Sequence, residues 1–341
     1  MNSKFRSNFR WILALAALLP VLILTGCGGD DDEALTIYSG RTQNLVGPIL
    51  EQFAETSGID IEVRYGNSAD LALLIAEEGD RTPADVFYSQ SPGAVGFLAE
   101  EGMLTPIDSE VLELVDPRLR NESGLWVGVT GRQRVVVYNS DMIDESELPE
   151  SVFETVDEPL AGRVAIAPEN GSFQDFVTAM RQLEGEERAE AWLCGMSETD
   201  APLYPNNNSI VDAVSRGEVE MGLVNHYYNF RFLDEEPSLP SRNHLLPGED
   251  VGALLIASAA TMIKNTDQPE LADEFIAFLL EHESQSYFAE ETFEYPLAPG
   301  VEPTAELPPL ETLAIPEYDI EQLGGDLEGT AALISSCGLI G

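Results

Sequence analysis

The sequence predicts an α/β protein folded as two lobes. Three observations carry this. Residues 35–65 read as strand, helix, strand; the same alternation resumes beyond residue 132; and 341 residues suffice for two separate cores. Hydrophobic residues make up 44% of the chain and low-complexity tracts are few, so a folded protein is expected rather than a disordered one.

Leu35, Thr36, Ile37 and Tyr38 form a short strand, followed by the polar turn Ser39, Gly40, Arg41, Thr42. Leu45, Val46, Ile49, Leu50 and Phe53 recur at helical spacing until Gly58, and Ile59, Ile61, Val63 and Tyr65 then alternate as a strand. Such a β-α-β opening argues for a parallel sheet. A helix over 70–78, a strand over 85–88 and a helix over 92–101 complete the first lobe. Residues 132–138, β-branched at Val135, Val136 and Val137, are suited to cross from one lobe to the other. Beyond them come a strand at 163–167, the turn Asn170, Gly171, Ser172, helices at 173–183 and 186–196, and an asparagine cluster at 206–208 with Ser209 that caps a helix running to Arg216.

Residues 219–225 read as a buried strand that stops at Asn225. Neighbouring side chains on a strand face opposite ways, so the adjacent phenols Tyr227 and Tyr228 reach one ligand only if the backbone has already turned. They are therefore expected in a binding loop past the strand's carboxyl end, where open α/β sheets hold ligands. Residues 252–263 read as one or two buried strands, 271–280 as an amphipathic helix returning to the first lobe, 296–316 as a proline-rich surface wrap and 327–339 as a last helix. The domain division expected is 34–131 plus 246–310 for the first lobe and 132–245 plus 311–341 for the second.

Lys4, Arg6 and Arg10 precede fourteen apolar residues at 11–24 and then Leu24, Thr25, Gly26, Cys27. Fourteen residues fall short of the roughly twenty that span a bilayer. The pattern is that of an export signal over 1–26, cleaved before a lipidated Cys27, with 27–33 as a tether. The protein is thus expected outside the cytoplasm, anchored by lipid on the outer face of the cytoplasmic membrane or held in the periplasm. In that compartment Cys194 and Cys337 are a natural disulfide pair, two separate buried thiols being the other reading. The formal net charge is −44, which excludes nucleic acid or anionic lipid as a partner bound by charge.

No nucleophile elbow, glycine-rich phosphate loop, zinc-protease helix or Cys-x-x-Cys is present, and His226, His244 and His282 lack metal-ligand spacing, so an enzyme is not expected. His244 and His282 read as solvated. A deprotonated phenol is a hard oxygen donor suited to a hard cation such as ferric iron, although two half-buried aromatics capping a strand would look the same. Asn170, Gly171, Ser172 and Asn207, with Asn208 and Ser209, open helices whose free N–H groups favour anions, and ordinary caps are the plainer reading of each. Arg41 adds a cation from the opposite lobe.

At this point the sequence resembles the ferric-iron-binding proteins of bacterial ABC importers. The matching pieces, in order, are residues 38–41, 82–88, 131–138, 225–228 and 294–297, of which Pro83-Ala84-Asp85-Val86-Phe87-Tyr88 and the Tyr227-Tyr228 pair are the most specific together. The resemblance implies a two-lobed periplasmic-binding-protein-like (type II) fold, with a hinge and a central ligand cleft. It also implies ferric iron as transported ligand, carbonate or phosphate as synergistic anion, and an ABC permease with its ATPase as partners. By position, Tyr227 and Tyr228 match paired phenolate ligands; Asn170, Gly171, Ser172, Asn207 and Asn225 match anion-holding positions; Arg41 matches an arginine that holds carbonate in some members. Thr42 and Gln90 stand where many relatives have a histidine and a glutamate as ligands, and where another branch has a third tyrosine near the start of a second-lobe helix the nearest residue here is Phe173. Two protein ligands are then assured, and anion, water or a chelator must complete the coordination. A monomeric receptor is expected, with a small organic or anionic solute or a ferric chelate as the alternative cargo.

Overall fold

The computed structural model describes residues 34–90, 92–247, 249–304, 307–313 and 326–340; Cys27, the leader and the tether lie outside them. β1 (Leu35–Ser39) runs parallel to β2 (Ile61–Tyr65) and to β3 (Val86–Ser89), with Ile37 opposite both Val63 and Val86. The intervening α1 (Gln43–Ser57) buries Leu45, Val46, Ile49, Leu50 and Phe53 against them. It stops at Gly58, whose φ of 75° lets its N–H turn back to the Ala54 carbonyl. α2 (Ser68–Glu78), α3 (Pro92–Glu100), β4 (Leu104–Thr105) and α4 (Ser109–Leu112) follow.

β5 (Val127–Asn139) is buried along its whole length. Its first half, Val127 to Gln133, pairs antiparallel with β9 (Leu255–Ile263), and its second half, Arg134 to Tyr138, pairs with β7 (Met221–Asn225). One strand therefore serves both halves of the molecule and changes partner between Gln133 and Arg134. β6 (Val164–Ala165) runs parallel to β7, and β8 (Ser241–His244) and β10 (Tyr295–Pro296) add to β5. Among the described residues ten strands make one sheet ordered β2-β1-β3-β9-β5-β7-β6, with β4 on β9 and β8 and β10 on β5. The sheet is mixed rather than parallel, because the crossing strands β5 and β9 run against the β-α-β strands they join.

Among the described residues the remaining α-helices are α5 (Gly171–Glu184), α6 (Glu186–Glu198), α7 (Asn207–Ser215), α8 (His226–Glu235), α9 (Pro269–Leu280), α10 (His282–Glu290) and α11 (Leu327–Ser336). One core gathers Val46, Phe53 and Val86 with Phe275 and Phe278 of α9. The Phe53 ring meets those two rings at 5.1 and 5.2 Å. Another core gathers Val136, Phe173, Phe176, Met180 and Trp192. There the Trp192 indole N–H, which burial would otherwise strand, donates to the Val152 carbonyl and Thr155 Oγ1, both at 3.0 Å. A Cys194–Cys337 disulfide, Cα atoms 4.7 Å apart, fastens the end of α11 to α6.

The stretch after Asn225 departs from the expected loop. Asn225 keeps extended angles (φ −87°, ψ 143°) and α8 begins at the next residue, so strand passes into helix with no loop between. The backbone does turn before the phenols, but by helix initiation.

Candidate functional site

Residues following the carboxyl ends of β1, β2, β3, β6 and β7, with the head of α7, line a cleft of about 480 Å³. One wall comprises Gly40, Thr42, Gly66, Asn67, Ser68, Ala69 and Gln90; the other Glu169, Asn170, Gly171, Ser172, Gln174, Asp175, Asn206, Asn208 and Tyr228. Both walls are built from helix starts. Asn67 Oδ1 accepts from the Ala69 N–H (2.9 Å), Asn170 Oδ1 from Ser172 (3.1 Å) and Asn206 Oδ1 from Ser209 (3.0 Å), capping α2, α5 and α7. Their N-terminal partial charges favour an anion between them. On the first wall Gly40 is required: a Cβ there would lie 2.0 Å from Ser68 Oγ, which itself accepts from the Gln90 N–H at 3.0 Å. The close crossing fixes the turn after β1 against α2 and the end of β3.

The Tyr227 and Tyr228 rings stack at 4.1 Å, inclined by 29°. Tyr228 lines the cleft, whereas Tyr227 is wholly buried and its Oη has no hydrogen-bond partner. Burial, and then the neighbouring Tyr228, push the Tyr227 phenol well above its ordinary 10, against the opposing pull of Arg41 and Arg132. Without a cation it is a neutral phenol with an unsatisfied hydroxyl, a costly arrangement in a protein interior.

Four charged side chains support these rings, all fully buried: Arg41, Arg132, Arg134 and Glu294. Arg41 Nη2 donates to Glu294 Oε2 at 2.5 Å, and Arg132 Nε lies 4.0 Å from Glu294 Oε1 while its Nη2 donates to the Gln90 carbonyl. Burial lowers the affinity of Arg41 for its proton, but the Glu294 carboxylate and the nearby tyrosines outweigh this and hold it above its usual value. Arg134 Nη1 donates to Asn225 Oδ1 at 3.2 Å, and its guanidinium lies 5.0 Å from the Phe176 ring centre. Burial lowers Arg134 to about 9, still protonated at neutral pH. With Glu294 and Asp175 as buried carboxylates, three guanidiniums leave an excess of positive charge here, in a chain whose formal charge is −44.

His226 supplies no ligand. Its Nδ1 accepts from the Gln133 N–H at 3.0 Å and its Nε2 donates to the Phe293 carbonyl at 2.7 Å, while burial depresses its pKa to about 4. His244 is half-buried rather than solvated, with Nε2 donating to the Pro149 carbonyl at 2.8 Å, because pairing of β8 with β5 draws it inward. His282 is exposed.

Of the residues singled out in the sequence, Thr42, Gln90, Asn170, Gly171, Ser172 and Tyr228 meet at the cleft surface. Tyr227, Arg41, Asn207 and Asn225 are buried and absent from that lining, Asn207 with its Nδ2 3.2 Å from Asn170 Oδ1 and 3.3 Å from Ser172 Oγ. Phe173 is core, and Cys27 lies outside the described residues. Sequence reasoning gave no site role to Arg132, Arg134 and Glu294, although they fall within the matched stretches 131–138 and 294–297. It also missed Asn67 and Ser68, which the cap pattern Asn67-x-x-Asp70 could have revealed. Among the described residues no group of three or more His, Cys, Asp or Glu is placed to hold a metal, so a metal here would depend on the phenols.

Residues 81–320 match the family described as bacterial extracellular solute-binding protein. The chain is 30% identical over 311 residues to the major ferric iron-binding protein of Neisseria meningitidis, covering 89% of this chain and 93% of that one. Among solved structures, iron-bound HitA from Pseudomonas aeruginosa superposes with a TM-score of 0.84 at 35% identity, covering 89% of this chain and 99% of that one. A Trichodesmium protein (IdiA, FutA) in complex with iron and citrate superposes with a TM-score of 0.78 at 25% identity, with coverages of 89% and 99%. The fold is accordingly the two-lobed type II fold of periplasmic binding proteins.

Proposed function

The chain belongs to the bacterial extracellular solute-binding protein family, a family of binding proteins rather than enzymes, and from that premise we propose that it captures ferric iron with a small oxyanion and delivers it to an ABC permease and its ATPase. Tyr227 and Tyr228 are the iron ligands in this reading. The observation that carries it is the stacked phenol pair at the head of α8, one hydroxyl of which is fully buried without a partner. A ferric ion supplies what that hydroxyl lacks, since its charge compensates two phenolates as their protons leave. The ferric iron-binding protein of Neisseria and the iron-bound protein of Pseudomonas support the same cargo.

Asn170, Gly171 and Ser172 hold the anion, carbonate or phosphate, from the second lobe, and Asn207 and Asn225, matched to the same role by position, brace them from behind. Thr42 and Gln90 face it from the first lobe, and Arg41 supplies charge from below. The lobes comprise 34–131 plus 246–310 and 132–245 plus 311–341. The mature protein is a monomer tethered to the membrane through lipid on Cys27, after removal of 1–26. No described helix is long and apolar enough to cross a membrane.

A second reading has a specific observation in its favour. The first wall presents no carboxylate, imidazole or phenol, so a ferric chelate bringing its own carboxylates would suit the cleft as well as a bare ion with a small anion. The iron and citrate held by the Trichodesmium neighbour support it. Absorbance titrations with ferric ion in carbonate, phosphate and citrate distinguish the cases. A visible phenolate-to-iron band with any of them supports ferric cargo, and the best partner names the anion. No band with any of the three would point to a small organic or anionic solute instead.

A further inference from the structure

A second cavity, of about 350 Å³, lies among α8, β5 and β8 and shares no lining residue with the cleft. Its size falls at the small end of the range in which proteins hold small molecules. Asn229 of α8 lines it, fully buried, and neither its Oδ1 nor its Nδ2 has a hydrogen-bond partner. Asn243 lines it as well. Its Nδ2 donates to the His226 carbonyl at 2.9 Å, leaving its Oδ1 without a partner. A buried amide with both donor and acceptor unused is destabilising unless something in the cavity completes it.

We propose that this cavity is a second binding site, for a small neutral molecule bearing a carboxamide-like donor and acceptor on an apolar body. The amide edge follows from Asn229, which offers an acceptor and two N–H donors side by side and is complemented by another primary amide, with the Asn243 oxygen as a further acceptor. The apolar body follows from Val135, Phe230, Leu233, Leu245 and Leu307, which form most of the remaining surface, beside Tyr138, Ser140 and His226. Neutrality follows from the charges at the cavity, Glu145 and Arg242, which are of opposite sign and select neither anion nor cation. Arg242 is further occupied with the Leu239 and Ser241 carbonyls, both at 2.7 Å. Nothing in this assignment depends on the identity of the cargo in the cleft.

Benzamide is the probe, and toluene, the same body without the amide, is its control. Ligand-observed NMR on the full mature chain is expected to show saturable benzamide binding at least about tenfold tighter than toluene. Asn229→Leu is expected to abolish that preference. Leu233→Trp, which fills the cavity from a half-buried position, is expected to abolish binding, and it decides the matter if Asn229→Leu fails to fold by circular dichroism. Ferric titration of the same samples reads the cleft separately, so failure here and failure of the iron reading are distinguishable. The assignment is overturned if benzamide does not bind saturably, in which case the cavity holds water only. It is equally overturned if toluene binds as well as benzamide, or if Leu233→Trp leaves benzamide binding unchanged.

Discussion

The wall of the cleft that follows β1, β2 and β3 and the wall that follows β6 and β7 share one architectural device and differ in chemistry. Each sets helix starts at strand ends, capped by Asn67 on one side and by Asn170 and Asn206 on the other. Only the second wall adds a phenol, Tyr228 at the head of α8, with Tyr227 stacked on it and buried. The first offers neutral side chains and backbone N–H groups at its surface, with Arg41 and Arg132 buried behind it. Helix starts are therefore the feature common to both walls, suited to an anion that bridges them, while hard-cation chemistry is concentrated on one. On the proposed reading the phenols of one wall carry the metal and the helix starts of both walls carry the anion.

The largest expected effect exploits the phenol protons. Tyr227 is held neutral far above pH 7, so ferric binding must release protons. If one proton leaves each of the two phenols as ferric ion binds, apparent affinity is expected to fall by about a hundredfold for each unit of acidification near neutrality. Competition titrations between pH 6 and 8, with the anion held constant, check this. A slope near zero would remove the phenols from the second wall's chemistry.

Next in size is the charge behind the first wall. Glu294→Gln leaves Arg41 without its buried carboxylate and is expected to destabilise the fold by about 3 to 5 kcal/mol, read as a lowered denaturant midpoint. Because the same change adds net positive charge near the anion, the surviving folded fraction is expected to keep its anion dependence.

A stability effect on the order of 3 kcal/mol is expected from His226, which sits at the root of the second wall. Its pKa is depressed from 6.5 to about 4 in the folded state, so the unfolded chain takes the proton first as pH falls. The contribution is complete above pH 6.5 and is lost progressively between 6.5 and 4. Denaturation of the parent and of His226→Asn at pH 7.5 and 4.5 measures it, the acid loss being smaller in the variant. The smallest effect belongs to the first wall's surface: Thr42→Ala and Gln90→Ala are each expected to weaken anion-dependent ferric binding by about 1 kcal/mol or less while leaving the visible band in place. Loss of the band in either variant would make the first wall a metal-bearing one and dissolve the contrast.

How much of this was legible in the sequence follows the range of the forces involved. The β-α-β opening, the asparagine caps and the halt of an apolar run before Tyr227 are local patterns, and each falls where periodicity and cap chemistry place it. The helix starting at His226 was harder to read, because Asn225 is an N-cap residue type but Tyr228, three positions on, is not the Glu or Gln that would complete a capping box. The arginine cluster was not legible. Arg132 and Arg134 sit in a run that reads as an ordinary strand, and Glu294 joins Arg41 across 253 residues, a long-range pairing next to the start of β10, which packs on β5. The parallel sheet was overestimated for the same reason, since strand direction in β9 is set by the return of the chain and not by its own residues.

The most direct test is a ferric titration by visible absorbance of the parent and of Tyr227→Phe with Tyr228→Phe, each in carbonate and in phosphate. The account predicts a phenolate-to-iron band in the parent that requires the anion, and no band with severely weakened binding in the double variant. Equal ferric affinity in the two proteins, with no visible band in the parent, would contradict it.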